Sequence, residues 1–302
     1  MKIVELSGGV GGARLARGLS ALEEVELSVV VNVGDDERVH GLYVCPDLDT
    51  VVYTLAGVEG PEGWGRAGDT FFANEELARF GVDNSFRLGD RDLALNLFRT
   101  ELLHRGEPLS EVTRRIVAAF GLTSSVLPAS DDPLHTRVRI EDGRWLSFQE
   151  YFVTRRHRDR VVELDYEGAA TAEPAPGVVE AIEEADLVVI GPSNPPLSIW
   201  PILAVEAIRK TLQAHPKVVA VSPLLGGRAL KGPADQVMAS LGLAPGNAGV
   251  VEAYDGLIDI LVVDQGDATD AGRLTGVDVL VTDTRIPDGP SARRLAAEIA
   301  AP

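Results

Sequence analysis

The sequence predicts an α/β protein with a Rossmann-like, doubly wound and mostly parallel sheet that carries a helical and hairpin insertion. Three observations indicate this class: short apolar runs, helical patterns between them, and a glycine-rich loop after the first run. The runs lack two-residue alternation, which is typical of parallel strands buried on both faces. They occupy residues 3–6, 27–31, 187–190, 218–221, 258–263 and 277–281. Their alternation with helices favours a sheet covered on both faces.

Local signals set the limits of the helices in this alternation. The first helix follows the glycine loop and has leucines at helical spacing at positions 15, 19 and 22. Proline precedes or opens each of the helices predicted at 177–185, 201–212 and 233–241. Proline suits the first helical turn because that turn has no partner for the missing N–H.

Two further helices are predicted where the alternation breaks. Asp90 is placed to cap the first of them, which ends at Gly106, and Ser110 is placed to cap the second. The apolar positions of the first helix are Leu93, Leu97, Phe98 and Leu102.

A hairpin is predicted after these helices. Asp142-Gly143 lies between residues 136–140 and 144–148 and is a strong turn signal. We expect two units: a Rossmann-like nucleotide-binding core at 1–60 and 170–302, and an insertion at 61–169 that covers the ligand edge of the sheet.

Composition excludes several classes of protein. The chain has 302 residues and a net charge of −18, which argues against nucleic-acid binding because such proteins present basic surfaces. No apolar run reaches the roughly 18 residues of a membrane helix. The N-terminus begins a strand without a signal-peptide pattern, and Cys45 is the single cysteine. We expect a cytoplasmic protein that binds neither membranes nor nucleic acid.

The glycine loop, Gly8-Gly9-Val10-Gly11-Gly12, is a candidate phosphate site. A strand precedes it and a helix follows, so free backbone N–H groups and a positive helix end point at the loop. No lysine-serine pair of a Walker A motif follows, and the third glycine of the dinucleotide fingerprint falls on Arg14. A tight turn without a ligand is the alternative.

Three other loops are expected to lie beside the glycine loop. Residues 32–36, 191–195 and 222–227 each follow a predicted strand and are rich in glycine, serine or asparagine. In open α/β sheets, ligands bind beyond the carboxyl ends of the strands. The four loops therefore predict one phosphate and ribose site.

Four aspartates are candidate magnesium ligands: Asp35, Asp36, Asp47 and Asp49. Carboxylate oxygens are the ligands that Mg²⁺ prefers. Helix capping by Asp47 or Asp49, and ribose binding or capping by Asp35 or Asp36, are the alternatives. Arg91, between two acids, is a candidate clamp for a phosphate or carboxylate.

Several long motifs, in order along most of the chain, resemble the 2-phospho-L-lactate transferases (CofD) of coenzyme F-420 biosynthesis. The first are Gly8-Gly9-Val10-Gly11-Gly12-Ala13-Arg14, Val31-Asn32-Val33-Gly34-Asp35-Asp36 and Gly41-Leu42-Tyr43-Val44-Cys45-Pro46-Asp47-Leu48-Asp49-Thr50. The others are Leu88-Gly89-Asp90-Arg91-Asp92-Leu93-Ala94, Pro192-Ser193-Asn194-Pro195 and Lys231-Gly232-Pro233-Ala234.

The resemblance implies a reaction. Family members transfer a phospholactyl or phosphoenolpyruvyl group from a guanosine diphosphate-linked donor to the ribityl hydroxyl of the deazaflavin FO, and they release GMP. It also implies dependence on Mg²⁺ and a homodimer. Which donor acid is accepted (phospholactate, phosphoenolpyruvate or phosphoglycerate) stays open.

The resemblance also implies roles for particular residues. Gly9, Gly11, Gly12, Ser193 and Asn194 would hold the guanosine nucleotide. FO would contact Asp49, Asp90 and Arg91, of which Asp49 and Arg91 are the catalytic candidates. Asp35, Asp36 and Asp47 would hold Mg²⁺ or its water shell.

Two alternatives belong to other classes. A YvcK-like regulatory protein that binds UDP-sugars tends to have threonine in the glycine loop, where this chain has Val10 between glycines. A nicotinamide-dependent dehydrogenase needs the fingerprint that Arg14 interrupts.

Overall fold

The computed structural model describes residues 1–83 and 85–301. Its strands are β1 (Lys2–Ser7), β2 (Glu26–Val31), β3 (Glu37–Val39), β4 (Leu42–Val44), β5 (Ser125–Pro128), β6 (His135–Ile140), β7 (Trp145–Ser147), β8 (Val161–Glu167), β9 (Leu187–Ile190), β10 (Val218–Val221), β11 (Leu224–Leu225), β12 (Arg228–Ala229), β13 (Ile260–Asp264) and β14 (Asp278–Thr282).

The α-helices are α1 (Gly9–Ser20), α2 (Pro46–Leu55), α3 (Phe72–Arg79), α4 (Asp90–His104), α5 (Leu109–Ala119), α6 (Val178–Glu183), α7 (Trp200–Leu203), α8 (Glu206–Ala214), α9 (Ala234–Ser240), α10 (Asn247–Tyr254), α11 (Ala268–Ala271) and α12 (Gly289–Ala300). Two π-helical turns (Glu150–Thr154 and Pro195–Ile199) and a 3₁₀ turn (Gln265–Asp267) complete the helical elements of the described residues.

The central sheet has seven parallel strands in the order β14-β13-β10-β9-β1-β2-β5. From β1 the chain adds β2 on one side, whereas β9 pairs with β1 on the other side and leads outward to β10. The strand order therefore reverses between β1 and β9, and such a switch point is where open α/β sheets bind ligands. The predicted doubly wound α/β class is confirmed.

One strand of this sheet lies within the predicted insertion. β5 pairs with β2 at the sheet edge, Val29 opposite Val126, so the core is not limited to 1–60 and 170–302. The prediction missed β5 because the strand has only four residues and ends in proline, which weakens the apolar signal and suits an edge position.

The predicted hairpin is present. β6 and β7 pair with Arg139 opposite Trp145, and β8 completes a three-stranded antiparallel sheet. Its buried side chains form a second, smaller apolar cluster with Leu197 and Val237, which connects this sheet to the 195–199 turn and to α9. The hairpin thus packs beside the loop that follows β9.

Two predicted helix caps are wrong. Gly89, not Asp90, precedes α4, and the Asp90 carboxylate accepts bonds from the N–H groups of Phe72 and Ala73 at the start of α3. Ser110 lies inside α5, where its N–H and hydroxyl both donate to Asp131. A carboxylate distant in sequence therefore accepts the hydrogen bonds at each of these helix starts: Asp90 at α3 and Asp131 at α5.

Two predicted helices also differ from the structure. The helix at 201–212 is divided into α7 and α8, because Val205 has an extended backbone conformation. In α4, Leu97 and Phe98 are 52% and 45% exposed, while Asn96 and Arg99 are buried. The side of α4 that faces the protein is therefore partly polar.

Candidate functional site

The glycine loop meets the loop after β9 at the switch point. Ser193 Oγ accepts a bond from the Gly8 N–H (3.2 Å) and donates one to the Gly8 carbonyl (2.7 Å). A Cβ on Gly11 would clash with the Pro192 carbonyl oxygen, and one on Gly12 would clash with Ser7 Oγ. Glycine is therefore needed where these two loops touch, whether or not a ligand is bound.

Two residues predicted to hold the nucleotide have hydrogen bonds within the protein. Ser193 is buried against Gly8, and Asn194 Oδ1 accepts a bond from the Leu197 N–H at the start of the π-helical turn (3.2 Å). Both side chains shape the loop. Their contact with a nucleotide remains a prediction.

Asp47 links the aspartate segment to the glycine loop. Asn32 Nδ2 donates to Asp47 Oδ2 at 2.9 Å, and a Cβ on Gly8 would lie 3.0 Å from the same oxygen. Burial raises the pKa of Asp47 to about 6, although Asn32 and the Gly9 N–H lower it. The carboxylate therefore lies at the positive end of α1, beside the position expected for a phosphate.

Asp35 and Asp36 are buried with unsatisfied oxygens. Among the described residues, Oδ1 of Asp35 and both carboxylate oxygens of Asp36 have no hydrogen-bond partner of good geometry. Burial raises the pKa of Asp35, and the charge of Asp47 raises it further. Burial also raises the pKa of Asp36, although the Cys45 thiol lowers it. Buried acceptors without a donor are costly, and a bound cation is one way to satisfy them.

Asp49 is held by an arginine that the sequence interpretation did not single out. Arg99 Nη1 donates to Asp49 Oδ2 at 3.2 Å and Nη2 donates to Oδ1, so the pair is bidentate. Burial raises the pKa of Asp49, while Arg99 lowers it. Arg99 also donates to Asn96 Oδ1 at 2.5 Å. The ion pair joins α2 to α4 in the interior.

Asp92 adds a fifth carboxylate to this cluster. Its Oδ1 accepts a bond from the Tyr53 hydroxyl at 2.7 Å. Burial raises its pKa to about 6, and the charge of Asp49 contributes to the rise. We call these five carboxylates and Arg99 the acidic cluster; its carboxylates belong to Asp35, Asp36, Asp47, Asp49 and Asp92. The cluster is strongly negative, because its five carboxylates have one guanidinium among them, and the charge of Arg99 lowers the pKa of Asp36, Asp49 and Asp92.

The acidic cluster fits Mg²⁺ in the chemistry of its donors. The unpaired oxygens of Asp35 and Asp36 are hard ligands, and Asp47 lies close enough to Asp35 to raise its pKa. Across residues 1–83 and 85–301, however, no three histidine, cysteine or acidic side chains converge in a ready-made metal site. Mg²⁺ commonly takes one or two carboxylates and completes its shell with water and substrate phosphate. One or two of the three predicted carboxylates would suit that mode, and their contact with Mg²⁺ remains a prediction.

Asp90 and Arg91 lie outside the cluster. Asp90 caps α3, and the Arg91 backbone N–H donates to Asp69 at 2.9 Å while its side chain is exposed. Any contact of theirs with FO or a phosphate would take place at the surface end of α4. Those roles remain predictions.

The sequence assigns no individual role to three residues of the site: Asn32, Asp92 and Arg99. Asn32 belongs to the predicted site loop at 32–36, but nothing in the sequence predicts its hydrogen bond to Asp47. Asp92, Asn96 and Arg99 recur at helical spacing on α4. The apolar positions of α4 predict a different buried side, so apolar periodicity does not reveal that polar stripe.

The fold and the site define an α/β protein with a glycine loop and an acidic cluster at the switch point of a parallel sheet. The family model for 2-phospho-L-lactate transferase CofD matches residues 3–284. The chain belongs to this family.

Individual relatives agree with the family match. The chain is 45% identical to the phosphoenolpyruvate transferase of Streptomyces griseus over 276 residues, covering 89% of this chain and 87% of the relative. It is 42% identical to the 2-phospho-L-lactate transferase of Methanopyrus kandleri, covering 99% of this chain and 96% of that protein. Both of these relatives are named as transferases.

Solved structures share the fold at lower identity. Two crystal structures of a UPF0052-family protein of Bacillus halodurans match with TM-scores of 0.67 and 0.68 at 17% and 18% identity. Each covers 99% of both chains. In the described residues, no helix has the length and apolar character needed to cross a bilayer.

Proposed function

We propose that this protein transfers a phospholactyl or phosphoenolpyruvyl group from a guanosine diphosphate-linked donor to the terminal ribityl hydroxyl of FO, with release of GMP. Membership of the CofD family supports the reaction class. The observation that carries the proposal is the buried acidic cluster, with unpaired oxygens on Asp35 and Asp36, directly beside the glycine loop. A diphosphate needs a cation and backbone N–H groups; the glycine loop has such N–H groups, and the carboxylates beside it would hold the cation.

In the proposed reaction, the FO hydroxyl oxygen attacks the phosphorus that carries the lactyl or enolpyruvyl group. A new P–O bond forms, the bond from that phosphorus to the bridging oxygen breaks, and GMP leaves with that oxygen. Asp49 accepts the hydroxyl proton, and Arg99 fixes the orientation of its carboxylate. Catalysis of such a transfer consists mainly of positioning and charge stabilisation.

The nucleotide would lie across the start of α1. The N–H groups of Gly11 and Gly12 would face its phosphates, and that of Gly9, which bonds to Asp47, would lie beside them, while Ser193 and Asn194 keep the opposite loop in place. Asp35, Asp36 and Asp47 would hold Mg²⁺, which supplies positive charge to the diphosphate. We further propose a homodimer, with a mass in light scattering of twice the 32.2 kDa of one chain.

The test is a transfer assay with purified protein, FO and Mg²⁺. Each of three donors (phospholactyl, phosphoenolpyruvyl and phosphoglyceryl guanosine diphosphates) is supplied separately, and GMP and the deazaflavin phosphodiester are measured by mass spectrometry. We expect one donor to be preferred and EDTA to abolish product. Absence of product with all three donors contradicts the proposal. Binding of a UDP-sugar in place of the guanosine donor would favour the regulatory alternative.

A further inference from the structure

The loop at residues 59–66 presents a large aromatic side chain next to the glycine loop. Trp64 lies at its tip and is 60% exposed. The two arms of the loop pair through a bridge between Glu59 and Arg66, and the Gly60 N–H donates to the Gly65 carbonyl at 2.9 Å. The loop is therefore a short hairpin rather than an open coil.

Both arms of the 59–66 loop are fastened to the core. Glu59 forms an ion pair with Arg17 of α1. The Arg66 guanidinium lies over the rings of Tyr53 and Phe120, at 5.6 and 5.2 Å from their centroids. Cation–π contacts of this kind hold the side chain in place. The tip is thus carried by two anchored arms.

The tip rests on the first turn of α1. A Cβ on Gly63 would lie 2.5 Å from Val10 Cγ1 and 3.5 Å from Arg14 Nη2, so the backbone next to Trp64 is packed against the helix that bears the glycine loop. Lys231 Nζ also donates to the Glu62 carbonyl at 3.1 Å and so joins the loop to the segment before α9. Trp64 is therefore the residue directly after a backbone contact with the first turn of α1, and its side chain is mostly exposed.

We propose that Trp64 is a stacking platform for the planar heterocycle of a substrate bound at the glycine loop. This inference rests on the proposed function, which supplies two such rings: the guanine of the nucleotide and the deazaflavin of FO. An indole face accepts either ring, and its exposed area leaves water when the ring is bound. The anchored arms fix the backbone that carries the indole, so binding does not have to order the loop itself.

The experiment measures binding directly. GMP and FO are titrated separately into the wild-type protein and the variants Trp64→Ala and Trp64→Phe by calorimetry in the presence of Mg²⁺. We expect Trp64→Ala to raise the Kd of one of the two ligands by about 5- to 150-fold, the range of aromatic stacking on a base. Trp64→Phe should recover most of the affinity. A raised Kd for GMP identifies guanine, and one for FO identifies the deazaflavin.

The control is Phe80→Ala, which removes an aromatic side chain that is 81% exposed at the end of α3, and which should change neither Kd. The inference is overturned when Trp64→Ala, with an unchanged Tm, binds both ligands like the wild type, or when the wild type binds neither. Transfer by a Trp64→Ala protein with unchanged affinities contradicts this inference alone. Binding that depends on Trp64 without transfer from any donor contradicts the proposed function alone.

Discussion

Arg99 and Asp49 form a bidentate ion pair that joins α4 to α2 and is almost completely buried, with the two side chains 1% and 8% exposed. Although burial would lower the pKa of Arg99, Asp49 raises it, so the guanidinium stays charged in the interior. The pair is therefore both a structural link between two helices and the support of a proposed catalytic carboxylate.

We expect Arg99→Met to lower the free energy of unfolding by about 3–5 kcal/mol, because it leaves the Asp49 carboxylate buried without its partner. The double variant Arg99→Met with Asp49→Leu should regain part of that stability, since apolar residues can replace a buried pair but the charge of Arg99 also acts on Asp36 and Asp92. Urea denaturation without ligands measures both. An Arg99→Met protein within about 1 kcal/mol of the wild type would show that the pair does not support the fold.

Asp49→Asn tests the role of the carboxylate in turnover. Asparagine keeps the shape and can still accept from Arg99, but it cannot take the proton of the attacking hydroxyl. We expect kcat to fall by at least about 100-fold. The matched control is Asp278→Asn at an exposed position on β14, which should keep its activity. Near-normal turnover in a folded Asp49→Asn protein would leave Asp49 with a structural role only.

Glu5 provides a test of stability against pH. It lies on β1 in the centre of the sheet, both carboxylate oxygens lack partners among the described residues, and burial raises its pKa well above the usual range. The folded protein therefore binds this proton more tightly than the unfolded chain. Proton binding by Glu5 therefore adds to the free energy of unfolding below the unfolded pKa of about 4.3. This contribution is lost as the pH rises from there toward the pKa of Glu5 in the folded protein.

We expect Glu5→Gln to gain stability over the wild type as the pH rises from 5 to 8, by at most about 1.4 kcal/mol per pH unit. Glu5→Met should gain more, because it also removes the unsatisfied polar group. Tm measured against pH gives both differences. If the difference in Tm between the wild type and Glu5→Gln does not change with pH, then Glu5 has the same proton affinity in the folded and unfolded states.

Arg91 is predicted to contact FO or a donor phosphate. Its side chain is exposed on α4, so a substitution there can change substrate binding without changing the stability of the fold. We expect Arg91→Ala to leave Tm unchanged and to raise the KM of one substrate by about 10- to 100-fold, the value of a charge-assisted hydrogen bond. Arg105→Ala is the control: Arg105 is an exposed arginine that follows α4 and pairs with Glu101. Unchanged KM values for both substrates would remove Arg91 from the site.

The parts of the fold that the sequence predicts well are those with a strong apolar signal. The strands at Leu187–Ile190 and Val218–Val221 agree with the prediction to the residue. Both of their faces are buried, and a polar residue or a glycine stands directly before and after each strand. The edge strand Ser125–Pro128 was missed, since only every second side chain is buried. Pairing with β2, a contact distant in sequence, creates that strand, and no local pattern encodes it.

The site was predicted unevenly for a related reason. Sequence motifs indicate which aspartates are candidates for the site, and the structure brings Asp35, Asp36, Asp47 and Asp49 together. They do not indicate that Arg99 supports Asp49, because the two residues are fifty positions apart. Apolar periodicity also misleads on α4, where the helix turns a polar stripe inward at the site and leaves leucine and phenylalanine exposed.

Gly11→Ala tests whether close contact between the glycine loop and the loop after β9 is required. A Cβ at this position would clash with the Pro192 carbonyl oxygen, which is backbone and cannot rotate away. The two loops must separate, so we expect a loss of about 1–3 kcal/mol in the free energy of unfolding together with weaker GMP binding.

Gly289→Ala at the start of α12 is the matched control, because no atom lies within 4 Å of its added Cβ. That control should be neutral or more stable by up to about 1 kcal/mol, since alanine restricts the unfolded chain. Urea denaturation and GMP calorimetry on both variants distinguish the cases: equal behaviour of Gly11→Ala and Gly289→Ala would show that the loops do not depend on this contact.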